Sequence, residues 1–65
     1  MISEDLIHEA LRAADWEEPS VASRINRWKR VGDRFLRVTC RDELGRIMVI
    51  SAVLKRRGPR GEAER

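Results

Sequence analysis

Apolar residues recur at helical spacing at the start of the chain. Ile2, Leu6, Ile7, Ala10, Leu11 and Ala14 form one stripe, and Glu4, Asp5, Glu9 and Arg12 fall mostly off it. Ser3 has the chemistry of an N-cap, and Glu4 and Asp5 stand where a helix N-terminus favours negative charge. The pattern predicts a helix over 4–14. The run Asp15-Trp16-Glu17-Glu18-Pro19-Ser20 ends it, because Pro19 lacks the amide that continues a helix and disfavours helical backbone at Glu18.

Beyond Ser20 the period changes to that of strands. A first strand is expected near 23–31, anchored by Ile25, Trp28 and Val31; the uneven spacing of these anchors predicts a bulge within it. Gly32-Asp33 supplies a tight turn. The second strand runs from Phe35 to Arg41, with Leu36, Val38 and Cys40 on one face and Phe35, Arg37, Thr39 and Arg41 on the other. Asp42-Glu43-Leu44-Gly45 is a turn, with Gly45 suited to the left-handed position of a bulged hairpin. The third strand, Arg46 to Lys55, is apolar on both faces from Ile47 to Leu54. That predicts a strand covered on both sides, by the helix on one and by a second subunit or partner on the other. Residues 58–65 have no apolar periodicity and read as a flexible tail. The expected fold class is α+β: one domain over 1–57, with an N-terminal helix packed on a three-stranded antiparallel β-meander.

Charge sharpens this picture. Between Arg24 and Arg60 twelve Lys and Arg side chains face only Asp33, Asp42 and Glu43, whereas residues 1–18 hold six carboxylates against Arg12. An alternating strand gathers its cations on one face, and such a face attracts phosphates or an acidic protein segment. Arg37, Thr39 and Arg41 are expected to project together, with Arg27 or Lys29 beside them. Lys55 and Arg56 extend the set, so the candidate nucleic-acid-binding residues are Arg27, Lys29, Arg37, Arg41, Lys55 and Arg56. Two alternatives stay open at this level: docking of an acidic protein, and a solvated strand face whose cations block aggregation.

Size adds a constraint. A chain of 65 residues is marginal alone, and small scaffolds draw on disulfides, metals or a second subunit. Cys40 and His8 are the only residues of their kinds, which excludes an internal disulfide and the usual zinc ligand sets; neither a metal nor a cofactor is expected. A homodimer or a partnered chain follows as the expected supplement. The acidic N-terminus, the lack of a long apolar run and the poverty in cysteine predict no signal peptide, no membrane span and a cytoplasmic location.

Cleavage of a phosphodiester needs a base, an acid and cations. The cations are plentiful, but the other two are poorly served. His8 reads as a solvent-facing helical residue, Glu43 as a turn carboxylate and Cys40 as a small buried apolar residue. Trp28 reads as core, Trp16 as either a cap on the core or an interface residue, and Ser51 as a hydroxyl bonded to neighbouring backbone. No catalytic residue is assigned. With one helix and no second to pair with it, the chain does not read as a helix-turn-helix DNA binder.

Certain short stretches resemble a known group. Ile2-Ser3-Glu4-Asp5-Leu6-Ile7-His8-Glu9-Ala10-Leu11 is similar to the I-S-E-E-D-I-x-E-A-L helix of small bacterial domains distantly related to the RelE/ParE toxin superfamily. Arg27-Trp28-Lys29-Arg30-Val31-Gly32, Leu36-Arg37-Val38 and Asp42-Glu43-Leu44-Gly45-Arg46 resemble that group's hairpin, and Ile47-Met48-Val49-Ile50-Ser51-Ala52 resembles the R-I-I-S-A-R strand of BrnT-type toxins. The resemblance spans about residues 2–57 and implies a curved antiparallel sheet packed on a helix. It further implies an RNA-binding toxin, in many relatives a ribonuclease, neutralised by an acidic antitoxin-like protein. Two features depart from the group: the segment bearing a histidine and arginines that usually precedes the helix does not occur in this sequence, and Val53 stands where BrnT-type toxins carry Arg. The expected partner is therefore RNA or an antitoxin-like protein, and the competing expectation is a non-enzymatic interaction module on a degenerate toxin fold.

Overall fold

The computed structural model describes residues 2–58. Helix α1 spans Glu4–Arg12 and is followed by four strands: β1 Trp16–Pro19, β2 Ile25–Val31, β3 Arg34–Glu43 and β4 Arg46–Lys55. The strands pair antiparallel in chain order, β1-β2-β3-β4. The protein is thus α+β, with one strand more than the sequence pattern suggested.

Local chemistry explains α1. The Ser3 backbone is extended and its hydroxyl accepts from the Leu6 amide at 3.2 Å; Glu4 and Asp5 fill the first turn and Arg12 the last. Buried Ala10, with half-buried Ile2, Leu6, Ile7 and Leu11, packs onto Leu36 and Val38 of β3, joined by Val31 and Ala52. Ala10 presents only a methyl group, so the helix axis lies close to the sheet. Its footprint falls on β2 and β3.

The extra strand comes from the segment read as a helix terminator. Asp15 holds it in place at both ends of its residue: its amide donates to the Trp28 carbonyl (2.8 Å), and its carboxylate accepts from the Arg30 amide (2.9 Å). Trp16 then pairs with Trp28 and Pro19 with Ile25. Pro19 is tolerated because β1 is an edge strand and the proline closes it. One 3₁₀ turn, Val21–Ser23, with Ala22 and Ser23 at φ 57° and 62°, returns the chain to β2.

The two hairpins differ in turn chemistry. Gly32 alone has positive φ (63°) between Val31 and Arg34, as a type II′ turn requires. Between Glu43 and Arg46 both Leu44 (φ 53°) and Gly45 (φ 79°) are left-handed, as in type I′. The β3–β4 turn is therefore a two-residue loop, and β3 runs on through Glu43 instead of ending at Arg41. Leu44 is fully exposed in a conformation that favours Asn or Gly. Leu44→Asn is expected to raise the unfolding free energy by about 0.5–1 kcal/mol, read from urea denaturation.

The bulge lies in β4 and not in the strand over 23–31. Thr39 pairs with Ser51 and Cys40 with Val49, which leaves Ile50 as the inserted residue. The covering expected for β4 is also corrected. Because α1 sits over β2 and β3, β4 forms an open edge with Ile47, Met48, Val49, Ile50 and Leu54 exposed. Ser51 is likewise exposed. Cys40 is buried, as its apolar neighbours suggested, and its thiol lies 3.6 Å from the Ile25 carbonyl. At the end of β4, Gly58 comes close enough to the Phe35 ring that a Cβ there would stand 2.9 Å from Cε1, so the chain turns back over Phe35. The tail expected over 58–65 otherwise lies outside the described residues.

Candidate nucleic-acid interface

Register assigns each side chain to a side of the sheet. Leu36, Val38 and Cys40 face α1, and so do their cross-strand partners Lys29, Arg27 and Ile25. Arg27 and Lys29 are therefore not beside Arg37 and Arg41. They lie on the opposite face, at the C-terminal end of the helix. Arg27 Nη1 donates to the Leu11 carbonyl at 2.6 Å and stands 3.5 Å from Glu17, while Lys29 Nζ donates to the Ala13 carbonyl at 3.3 Å. Both cations satisfy carbonyls that the last helical turn leaves without partners, where the helix dipole also favours positive charge. The sequence pattern could not show this, because the placement depends on the hairpin register.

The other face has no helix over it. Successive cross-strand rows there read Arg30, Phe35 and Lys55; then Trp16, Trp28, Arg37 and Val53; then Glu18, Asn26, Thr39 and Ser51; then Arg41 and Met48. Arg24 has an extended backbone and precedes β2 by one residue, so alternation places it on this side next to Arg41. Arg37, Thr39 and Arg41 do project together, and Lys55 shares their face. Arg56 follows the strand and is exposed.

Aromatic rings support the cations. The Arg37 guanidinium lies 5.9 Å from the Trp28 ring centroid, and the Arg30 guanidinium 5.7 Å from that of Phe35. Trp16 and Phe35 meet at 5.8 Å with a 54° tilt. Trp28 is 5% exposed, so its ring is core-like as expected, but it is buried under Arg37 on the open face and not under the helix. Trp16 likewise sits on this face as a half-buried ring.

A polar row crosses the middle. Trp28 Nε1 donates to Glu18 Oε1 at 2.8 Å, and Asn26 Nδ2 reaches the same oxygen at 3.5 Å. Thr39 Oγ1 donates to Asn26 Oδ1 at 2.8 Å, which orients the Asn26 amide toward Glu18. Glu18 is thereby a fixed carboxylate between the Arg37 and Arg41 rows. Sequence reasoning missed it because Glu18 was assigned to a loop; the alternation Trp16–Glu18, in phase with Asn26 and Trp28, was the available signal.

The cations differ in how far they are engaged. Arg41 Nη2 contacts Glu43 at 2.5 Å, an exposed pair of the kind worth about 0–1 kcal/mol. Among the described residues Arg37 has no carboxylate within ion-pairing distance. The Nε atoms of Arg24, Arg37 and Arg41 are shielded from solvent and lack an acceptor among the described residues, as does that of Arg27 on the helix side. No group of His, Cys, Asp and Glu among the described residues is arranged to hold a metal ion, and no described helix is long and apolar enough to cross a membrane. The chain matches no protein-family model, no curated protein and no solved structure.

Proposed function

We propose that this is a toxin-like RNA-binding protein of the RelE/ParE kind, and that it holds single-stranded RNA on the face of the sheet that α1 leaves open. One observation carries the reading: the Arg37 guanidinium stands over Trp28, 5.9 Å from the ring centroid, with no carboxylate partner among the described residues, between Arg30 on one side and Arg41 on the other. Guanidinium planes backed by rings stack on unpaired bases and grip phosphates in the same contact. A duplex hides its base faces, so the preference is for single strands. An N-terminal helix across an antiparallel meander also suits the resemblance, although a shared architecture says nothing of activity.

Titration of a single-stranded oligoribonucleotide over a salt series tests this. Each neutralised phosphate contributes about −0.7 to the slope of log affinity against log salt, and Arg24, Arg37, Arg41 and Lys55 together would give roughly −3. No binding at low salt, or binding indifferent to salt, overturns the reading. Cleavage is an extension of it. Glu18 Oε1 is occupied by Trp28 and Asn26, which leaves Oε2 to take the proton of a ribose 2′-hydroxyl as that oxygen bonds to the adjacent phosphorus, the P–O5′ bond breaks and the departing 5′-oxygen takes a proton from water. Under this extension Glu18→Gln retains RNA affinity and loses cleavage; intact RNA with the wild-type protein removes it. A non-enzymatic interaction module is the second reading, favoured by the free apolar edge of β4.

A further inference from the structure

We propose that β4 is the seam of a homodimer, in which two copies pair their β4 edges antiparallel and form one eight-stranded sheet. The seam goes beyond the RNA reading and does not depend on it.

Three observations carry it. First, the bulge at Ile50 is the edge's one protecting feature. Edge strands in native proteins carry Lys, Pro or inward-pointing charge along their length, whereas Ile47 to Leu54 contains no charge and no proline, and five of its large apolar side chains are exposed. Second, the bulge makes the strand symmetric about its centre. In a regular strand, residues at odd and even positions point to opposite faces. The extra residue at Ile50 resets the phase, so Ile47 and Val49 share the helix side with Ala52 and Leu54, while Met48 and Val53 share the open side. A two-fold axis between Ile50 and Ser51 then pairs Ile47 with Leu54, Met48 with Val53 and Val49 with Ala52 of the second copy. These three pairs are apolar and each lies on one face; the register also sets Ile50 opposite Ser51 and Arg46 opposite Lys55, and so uses all ten residues of β4.

Third, the charged ends of the register stay in solvent, and the groove beside α1 gains a cover. The register sets Lys55, Arg56 and Arg57 of one chain alongside Arg46, Gly45 and Leu44 of the other. Arg46 meets Lys55 of the second copy at a solvated rim, where Glu43 is the cross-strand neighbour of Arg46. On the helix side, Glu4, Ile7, His8 and Leu11 of α1 form a groove with Ile47 and Val49. Leu54 of the second copy arrives beside Ile47 and closes that groove. The two-fold axis is perpendicular to the sheet, so both helices lie on one side and both arginine faces on the other. The dimer doubles the cationic surface.

Sedimentation and light scattering of the wild-type chain without RNA, over a concentration series into the millimolar range, are expected to show twice the chain mass. Val49→Lys and Met48→Lys, tested separately, are each expected to give a monomer with an unchanged far-ultraviolet spectrum. Met48→Cys with Val53→Cys is expected to cross-link into a covalent dimer under mild oxidation, while Met48→Cys with Leu54→Cys, on opposite faces, does not. A wild-type monomer at every concentration overturns the proposal and leaves the edge to a strand of a different protein. A dimer that survives both lysine variants, or that fails to cross-link through Met48→Cys and Val53→Cys, overturns this seam.

Discussion

Replacing Arg37 and Arg41 together with alanine is expected to weaken binding of single-stranded RNA by about 2–4 kcal/mol, roughly 30- to 1,000-fold at low salt. The larger share belongs to Arg37. It has no carboxylate to give up among the described residues and is already held over Trp28, so little side-chain freedom is lost on binding. Arg41 must first leave Glu43, which reduces its net gain. The salt slope should become shallower by about 0.7 for each lost phosphate contact. Arg27→Met and Lys29→Met provide the contrast. They remove equal charge from the same strand region, yet they face α1, so RNA affinity should change little. Arg27→Met should instead lower stability by about 1–2 kcal/mol, because the Leu11 carbonyl loses a charged donor. Equal losses of affinity from Arg37→Ala and Arg27→Met would mean that only net charge matters and that the open face has no special role.

That contrast also marks the limit of what the chain reveals before its register is known. The helix was legible because its stripe, its Ser3 cap and its acidic first turn agree. The alternation of Leu36, Val38 and Cys40 with Arg37, Thr39 and Arg41 was legible because one strand carries its own phase. The partner strand does not carry that phase. Whether Arg27 or Trp28 stands next to Arg37 depends on a two-residue turn at Gly32-Asp33, and a shift of one residue would exchange the faces. The segment 15–20 reads in sequence only as the end of the helix, because Pro19 cannot continue the helical backbone and disfavours helix at Glu18. Tertiary context overrides this: Asp15 is bonded to β2 through both its amide and its carboxylate, and proline at the end of an edge strand breaks no ladder bond that the sheet needs. The apolar run of β4 predicts cover on both sides, and the structure instead leaves it an open edge. What the run does not encode is where the helix lies: α1 packs chiefly on β2 and β3 and leaves most of β4 exposed.

Leu36→Ala is expected to have the largest effect on stability, about 2–5 kcal/mol. Leu36 and Val38 are the largest fully buried side chains among the described residues, and Leu36 packs in the core with Ala10 and Val38 beneath α1. A chain of this length has only about 3–10 kcal/mol of total stability, so the variant should be largely unfolded near physiological temperature. The loss extends to the open face, because Arg37 is aimed by the same strand whose alternate residue is anchored at Leu36. Folding and binding are then linked. RNA at about 100 times its dissociation constant should restore about 2.7 kcal/mol, and dimerisation should add a further, concentration-dependent share. Thermal melts of Leu36→Ala are therefore expected to shift upward with added single-stranded RNA and with protein concentration, whereas the combined Arg37→Ala, Arg41→Ala and Leu36→Ala variant should respond to concentration alone. A Leu36→Ala melt indifferent to RNA, while the wild-type protein binds it, would separate the arginine face from the folded sheet and place the RNA contacts elsewhere on the chain.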